Sequence, residues 1–178
     1  MITIQSLAPK AQLAYVNLMM DVIGRGLVMA SQVDPQVAQE IAAFPVGFIL
    51  SMRVFGTQGP AFIAQVNEKQ QLTLLSEAPR KPDLTITFKH VQHAFLVFSF
   101  QESTAQAFAN DRMIADGDVA HAIRLVRCLN QMEALILPKV LAQLAVKQYP
   151  PQLSLQEKIT GAAQIYLKVA QSYFKRSA

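Results

Sequence analysis

The chain has 178 residues, 52% of them hydrophobic and only 16% charged, with a formal net charge of +4 and one cysteine. A chain of this length buries roughly 70% of the surface its unfolded form exposes, so one domain with a sizeable core is expected; an average soluble domain is about 25% charged, and the deficit points either to a large core or oligomer interface, or to an apolar cavity or membrane-touching face. Lone Cys128 excludes an internal disulfide, Met1 to Ser6 lack the basic and apolar regions of a secretory signal, and the most apolar run, Leu13 to Ala30, is broken by Asn17, Asp21 and Arg25, so the expectation is a cytoplasmic protein with no membrane-spanning helix.

The first 43 residues read as helical. Pro9 stands near a helix start, Leu13, Val16, Met20 and Ile23 recur at three or four, and Gly24 and Gly26 are expected to end or loosen that helix. Asp34 before Pro35 predicts a second, short helix to about Ala43: the carboxylate accepts from orphan backbone N–H groups, and Pro lacks an N–H that the first turn does not need.

The period then changes from 3.6 to 2. Phe48, Leu50, Met52 and Val54 alternate with Ile49, Ser51, Arg53 and Phe55; after a Gly56–Pro60 turn, Phe62, Ala64 and Val66 alternate with Ile63, Gln65 and Asn67. A third strand has Leu72 and Leu74 inward, and a fourth sets Leu84, Ile86 and Phe88 inward against Thr85 and Thr87. Val91 to Phe100 form a Phe-rich helix, Ser103 or Thr104 caps a short one through Phe108, and Met113 to Ala115 make a fifth strand. Asp118 then caps a helix to about Met132, with Ala122, Val126 and Leu129 on one face and Arg124, Arg127 and Gln131 on another. The expected fold is α+β: an antiparallel five-stranded sheet covered on one face by helices, because strands with one apolar face each require a cover.

Leu137-Pro138-Lys139 restarts a helix, and Ser154-Leu155-Gln156-Glu157 is a capping box that opens a last one, with Leu155, Ile159, Ala162, Tyr166, Ala170 and Tyr173 as its stripe. Six cations from Lys139 to Arg176 oppose Glu157 alone, which gives the last 45 residues about +5 and the rest a charge near neutral. Such a tail suits an anionic membrane surface, nucleic acid, or solubility alone; the interleaved Tyr166, Tyr173 and Phe174 favour the bilayer interface among the binding readings, and no nucleic-acid partner is expected.

Catalytic and metal chemistry find little support. His90 and His93 lie three apart, and Asp116, Asp118 and His121 surround Gly117, but neither group has a recognised ligand spacing, so capping and surface roles are expected and no metal or cofactor is. The chain has no G-x-S-x-G elbow and no Cys-His signature, and Gly24-Arg25-Gly26 does not follow a strand. Cys128, inside a helical pattern, reads as a buried structural thiol.

Pro82-Asp83-Leu84-Thr85-Ile86-Thr87-Phe88, the Phe-rich helix, Ala107-Phe108-Ala109-Asn110-Asp111-Arg112-Met113 and Gly117-Asp118 follow one another at a spacing that resembles the sterol carrier protein-2 family over roughly residues 45 to 133. The resemblance implies helices over one face of a five-stranded sheet, an apolar lipid tunnel between the layers, and no catalytic machinery. It implies one domain, with a core at about 45–133 and helical extensions at 1–44 and 134–178. Two positions depart from the family pattern: Asp111 replaces a usual Gly, which bears on the local turn, and Ala115 replaces a larger aliphatic residue, which either enlarges the cavity or is offset by a neighbour. Glu133-Ala134-Leu135-Ile136-Leu137-Pro138-Lys139 also resembles the bacterial accessory lipid carriers of ubiquinone biosynthesis.

Leu50, Met52, Phe62, Leu74, Ile86, Phe95, Phe98, Phe108, Met113, Ala122 and Val126 are the expected ligand-binding residues. Phe and Met offer apolar contact without polar groups, and Met adapts its shape. The expected function is a non-enzymatic carrier of a fatty acyl, prenyl, quinone-precursor or sterol-like ligand. The alternatives are an interaction or homo-oligomerisation module that holds no lipid, and an acyl hydrolase.

Overall fold

A computed structural model describes residues 9–56, 59 and 61–136. Two helices, α1 (Pro9–Val33) and α2 (Pro35–Ile41), precede four strands, β1 (Ile49–Val54), β2 (Ala61–Val66), β3 (Leu72–Leu75) and β4 (Leu84–Phe88). Helices α3 (Val91–Phe98) and α4 (Thr104–Ala109), strand β5 (Met113–Gly117) and helix α5 (Val119–Ile136) follow. The expected last helix and its basic residues lie outside the described residues.

Local chemistry sets the boundaries where the sequence placed them. Asp34 Oδ1 accepts from the Val37 amide at 2.8 Å, with Pro35 in the first turn of α2. Ser103 and Gln106 form a reciprocal capping box on α4. Asp118 Oδ1 accepts from the Ala120 amide at 2.6 Å and so starts α5.

Gly24 and Gly26 do not end α1; both are buried within it. A Cβ on Gly24 would stand 2.9 Å from Phe62 Cγ on β2. The missing side chain therefore lets the helix lie close on the sheet, and packing overrides a helix-propensity deficit of about 1 kcal/mol. Helix α1 is also apolar and long enough to cross a membrane by length and composition, with a mean hydropathy of 1.3 over its best window. Asp21 and Arg25, which break its apolar run, pair with each other one turn apart at 2.9 Å. Here its stripe of Val16, Met20, Ile23 and Leu27 is buried in the hydrophobic core.

The sheet is mixed rather than antiparallel, in the order β3-β2-β1-β4-β5, with β1 and β4 parallel and every other pair antiparallel. The reason is the shortness of β3. Leu75 pairs with Ile63, which pairs with Ser51, while Leu84 pairs with Leu50. β3 therefore ends almost level with the start of β4, and residues 76–83 need only traverse three strand spacings of about 4.8 Å each. A parallel pair ordinarily demands a dozen or more residues to return along the strand.

Central placement also changes the burial of β4. Ile86 and Phe88 are buried, as the alternation predicts, but Thr85 and Thr87 on the other face are buried too. They lie between β1 and β5, in register with Ser51 and Arg53, and Arg53 Nε donates to Thr87 Oγ1 at 3.3 Å. Helix α1 packs on β2 and β3 and also meets α2, α3 and α5, while α5 packs against α2 and β5.

Gly24→Ala tests the close approach of α1. An alanine would improve intrinsic helix propensity by about 1 kcal/mol, whereas overpacking against Phe62 costs about 1 to 3 kcal/mol. The expected outcome is a lower melting temperature; a higher one would show that α1 does not seat on Phe62.

Candidate ligand-binding core

The resembling segments meet at one corner of the sheet. Asp83 Oδ2 accepts from the Ile49 amide at 2.8 Å, and the Asp83 amide donates to the Ile49 carbonyl, also at 2.8 Å. Arg80 grips the same carboxylate with both terminal nitrogens at 2.7 Å and donates to the Gly47 carbonyl at 3.1 Å. These bonds, chiefly that from Arg80, hold the Asp83 carboxyl below its ordinary value against an opposing desolvation effect. Gly117, at φ +141°, packs where a Cβ would stand 2.5 Å from the Asp83 carbonyl oxygen. No side chain fits there, which explains the Gly before the α5 cap.

The next segment is held as firmly. Asp111 has φ +56°, the left-handed conformation that glycine tolerates best, so the usual Gly is accounted for. Asp is among the side chains that enter this region, and its carboxylate pairs with Lys89. Arg112 Nε lies 3.2 Å from Glu102 Oε2, whose other oxygen accepts from Asn110 at 2.6 Å. Ala115 is exposed, so the small side chain does not enlarge the interior.

Between the layers, Ile23, Met52, Phe88, Val97, Phe98, Thr104, Met113 and Leu129 surround a cavity of about 10 Å³. That is near the minimum for one water molecule, about 10–15 Å³. A lipid-sized space was expected; this cavity is instead nearly filled, with Phe88 and Phe98 in edge-to-face contact at 5.3 Å.

Of the expected ligand residues, Met52, Phe98 and Met113 line this cavity. Leu50, Phe62, Ile86, Phe95 and Ala122 are buried in the surrounding core, while Leu74 and Phe108 pack on it half-buried. Val126 is only half-buried, because the inward face of α5 runs through Ala122, Leu125, Cys128, Leu129 and Met132. Gln131, expected on the polar face, is also buried and donates to Asp34 Oδ2 at 3.4 Å. Ile23, Phe88, Val97, Thr104 and Leu129 complete the lining. Ile23, Phe88 and Leu129 carried a periodicity signal, Val97 lay in the Phe-rich helix, and Thr104 had only its capping pattern.

The suspected ligand groups serve other roles: His90 and His93 meet edge to face at 6.1 Å as a pair without a third ligand among the described residues. His90 caps α3, its Nδ1 accepting from the Gln92 amide at 3.2 Å. Asp116 pairs with Lys81 at 3.2 Å, Asp118 caps α5, and His121 stacks on Phe44 at 4.9 Å and meets Phe48 in a tilted contact at 4.8 Å. Among the described residues no group of three or more His, Cys, Asp or Glu is placed to hold a metal ion. Burial, with smaller contributions from Glu40 and Asp34, pushes the Cys128 thiol up to about 12. It is protonated at neutral pH and unsuited to nucleophilic attack.

No family model and no curated protein matches the chain. It is similar to a solved structure described as a UbiJ-SCP2 ubiquinone synthesis protein, at 16% identity and a TM-score of 0.45, over 70% of this chain and 99% of that one. Two others are sterol carrier protein domain 2 of Helicoverpa armigera (22% identity, 60% of this chain and 81% of that one, TM-score 0.39) and sterol carrier protein 2 of Yarrowia lipolytica in its apo form (20%, 61% and 86%, TM-score 0.40).

The Asp83 corner has a defined pH signature. A carboxyl held below its unfolded value stabilises the fold above the unfolded pKa, and that contribution disappears as pH falls through the folded pKa. Asp83→Asn should therefore lower the melting temperature at pH 7, and the gap from the unsubstituted protein should close in acid, below about pH 4. A gap that stays constant from pH 7 to pH 3 would remove the carboxylate charge from the account.

Proposed function

We propose that the protein is a non-enzymatic lipid carrier that takes one hydrophobic chain between its sheet and its helices. The observation that carries the reading is the composition of the interior junction among the described residues: seven apolar side chains, two of them methionines, and the hydroxyl of Thr104. Such a lining offers contact without polar selectivity, and methionine adapts its shape to an entering chain. The four segments that resemble sterol carrier protein-2 support the same reading. The ligand enters by parting the helices from the sheet. Enclosing roughly 400 Å² of its apolar surface contributes about 10 kcal/mol gross, reduced by the cost of ordering the chain and separating the packed layers.

Solvent extraction of the purified full chain, followed by mass spectrometry, tests this. A bound lipid with an apolar chain is expected, and Val97→Phe, which adds bulk at the cavity wall, should diminish lipid retention. Absence of lipid, together with no thermal shift from a fatty acid, fatty alcohol or prenol, would overturn the reading. A second reading, an interaction module, rests on the exposed Val46, Val119 and Ile123; Val46 lies between Phe44 and Phe48, both in ring contact with His121 of α5. Native mass spectrometry separates the two, since a dimer without lipid favours the second.

The proposal extends to a cytoplasmic setting and to a peripheral membrane contact through the expected last helix, residues 154–178, where Lys158, Lys168, Lys175 and Arg176 oppose Glu157 alone. Each basic residue near an anionic surface contributes about 1 kcal/mol, screened over a Debye length of about 8 Å at physiological salt. The full chain should therefore co-sediment with anionic liposomes at low salt more than a truncation before Ser154 does. Equal sedimentation of the two would leave that segment without a membrane role.

A further inference from the structure

Helix α3 has space on two sides. Outward, against the N-terminal turns of α1, Gln12, Gln92, Phe95, Leu96 and Gln101 line a groove of about 200 Å³. Inward, Val97 and Phe98 of the same helix face the nearly filled cavity. Phe95, almost fully buried, therefore separates outer groove from inner core. Among the described residues the groove rim is uncharged. Its three carboxamides both donate and accept hydrogen bonds, and Gln101 Nε2 already donates to Ser99 Oγ at 2.7 Å. A neutral hydroxyl or carbonyl group finds partners on such a rim, whereas a carboxylate or phosphate finds no cation among the lining residues.

The helix is short, and it packs chiefly against α1. Its eight residues are tied to α1 by the Tyr15 hydroxyl, which donates to the Phe98 carbonyl at 2.9 Å, and by an edge contact of the Tyr15 and Phe95 rings at 5.4 Å. Just beyond its C-terminal cap, Phe100 has φ +59°, a left-handed conformation that is unfavourable for an aromatic residue. The turn at Phe100 is closed by the helix's own bonds, the Phe100 amide donating to the Val97 carbonyl and the Gln101 amide to the Leu96 carbonyl, both at 3.0 Å, so α3 can move as a unit, and movement away from α1 would join groove to cavity.

We infer that the groove is the head-group site and entry of the carrier, and that it receives an uncharged head, hydroxyl or carbonyl, on a single apolar chain. The head sits among Gln12, Gln92 and Gln101, and the chain passes beneath α3, past Phe95 and Phe98, toward Met52. This inference rests on the proposed carrier function and adds to it the chemistry of the head and the route of entry.

The chain contains no tryptophan, so Leu96→Trp in the full protein places a single reporter in the groove. The probes are long-chain fatty alcohols brominated either beside the hydroxyl or at the far end, with binding of each verified by native mass spectrometry. Stronger quenching by the head-proximal bromine is expected. Stronger quenching by the far-end bromine, or binding without quenching by either, overturns the groove assignment and leaves the carrier reading standing. Failure to bind either alcohol or the matching fatty acid overturns both. Tighter binding of the fatty acid than of the alcohol overturns the uncharged-head assignment. Gln92→Trp, at an exposed position, gives the same readout if Leu96→Trp does not fold. Tyr15→Phe should speed alcohol uptake on the order of fivefold, the factor that loss of one net hydrogen bond represents. An unchanged uptake rate removes α3 from the entry route.

Discussion

The carboxylate of Asp83 fixes the point from which the rest of the sheet is built. It accepts the first amide of β1, is gripped by Arg80, and belongs to the residue whose carbonyl oxygen excludes any side chain at Gly117. The start of β1, the start of β4, the end of β5 and the N-terminus of α5 are thereby brought together. The parallel β1–β4 pair is possible with a short connection because that connection ends in a residue that holds the Ile49 backbone through its own amide and its carboxylate, the latter clamped by Arg80. A strand held at its first residue has its register set, and a one-residue slip would turn Ile86 and Phe88 away from the helices.

The helical layer is fastened unequally. At the α2–α5 end, Arg124 and Arg127 both reach Glu40, at 2.8 and 3.3 Å, and Gln131 meets Asp34 beneath them. The exposed member of such a set adds little on its own, but a shared carboxylate and a buried amide fix the relative position of the two helices. Apolar contact dominates at the α3 end, and it is non-directional. It resists separation through the area it removes from water rather than through geometry, so another apolar surface can replace it at small net cost. A lipid chain is such a surface.

The sequence revealed elements more readily than their arrangement. Caps at Asp34, Ser103 and Asp118 are local chemistry, and they were legible as single residues at fixed offsets. Alternation placed Leu50, Met52, Ile86 and Phe88 on the helical side, again from local order. The parallel pairing of β1 with β4 was not legible, because alternation is the same in either sense and the deciding quantity is the four-residue length of β3. Gly24 misled for a related reason: within one helix it reads as a weak point, and only the approach of Phe62 from a strand 38 residues away makes it necessary. Thr85 and Thr87 looked outward by polarity, yet central strands are covered by their neighbours whatever their composition. At the candidate site, the aromatic and methionine side chains were recognisable, but the degree of filling was not. Packing of Phe88 on Phe98 depends on where α3 lies, and the sequence of α3 specifies its apolarity without its position.

Helix α1 illustrates why apolar content alone is a weak guide to function. Its composition would suit a membrane span, and its burial accounts for the same composition by packing. The two charges within it, Asp21 and Arg25, pair with each other one turn apart, with Arg25 only 13% exposed, so they do not interrupt the helix. A helix used in this way supplies one wall to the sheet and another to α3. Its N-terminal turns can therefore carry a polar rim, Gln12, while Met20, Ile23 and Leu27 further along remain committed to the core. The apolar surplus of the chain thus has a specific physical consequence: a single long helix packs on the sheet through β2 and β3 and on α3 as well.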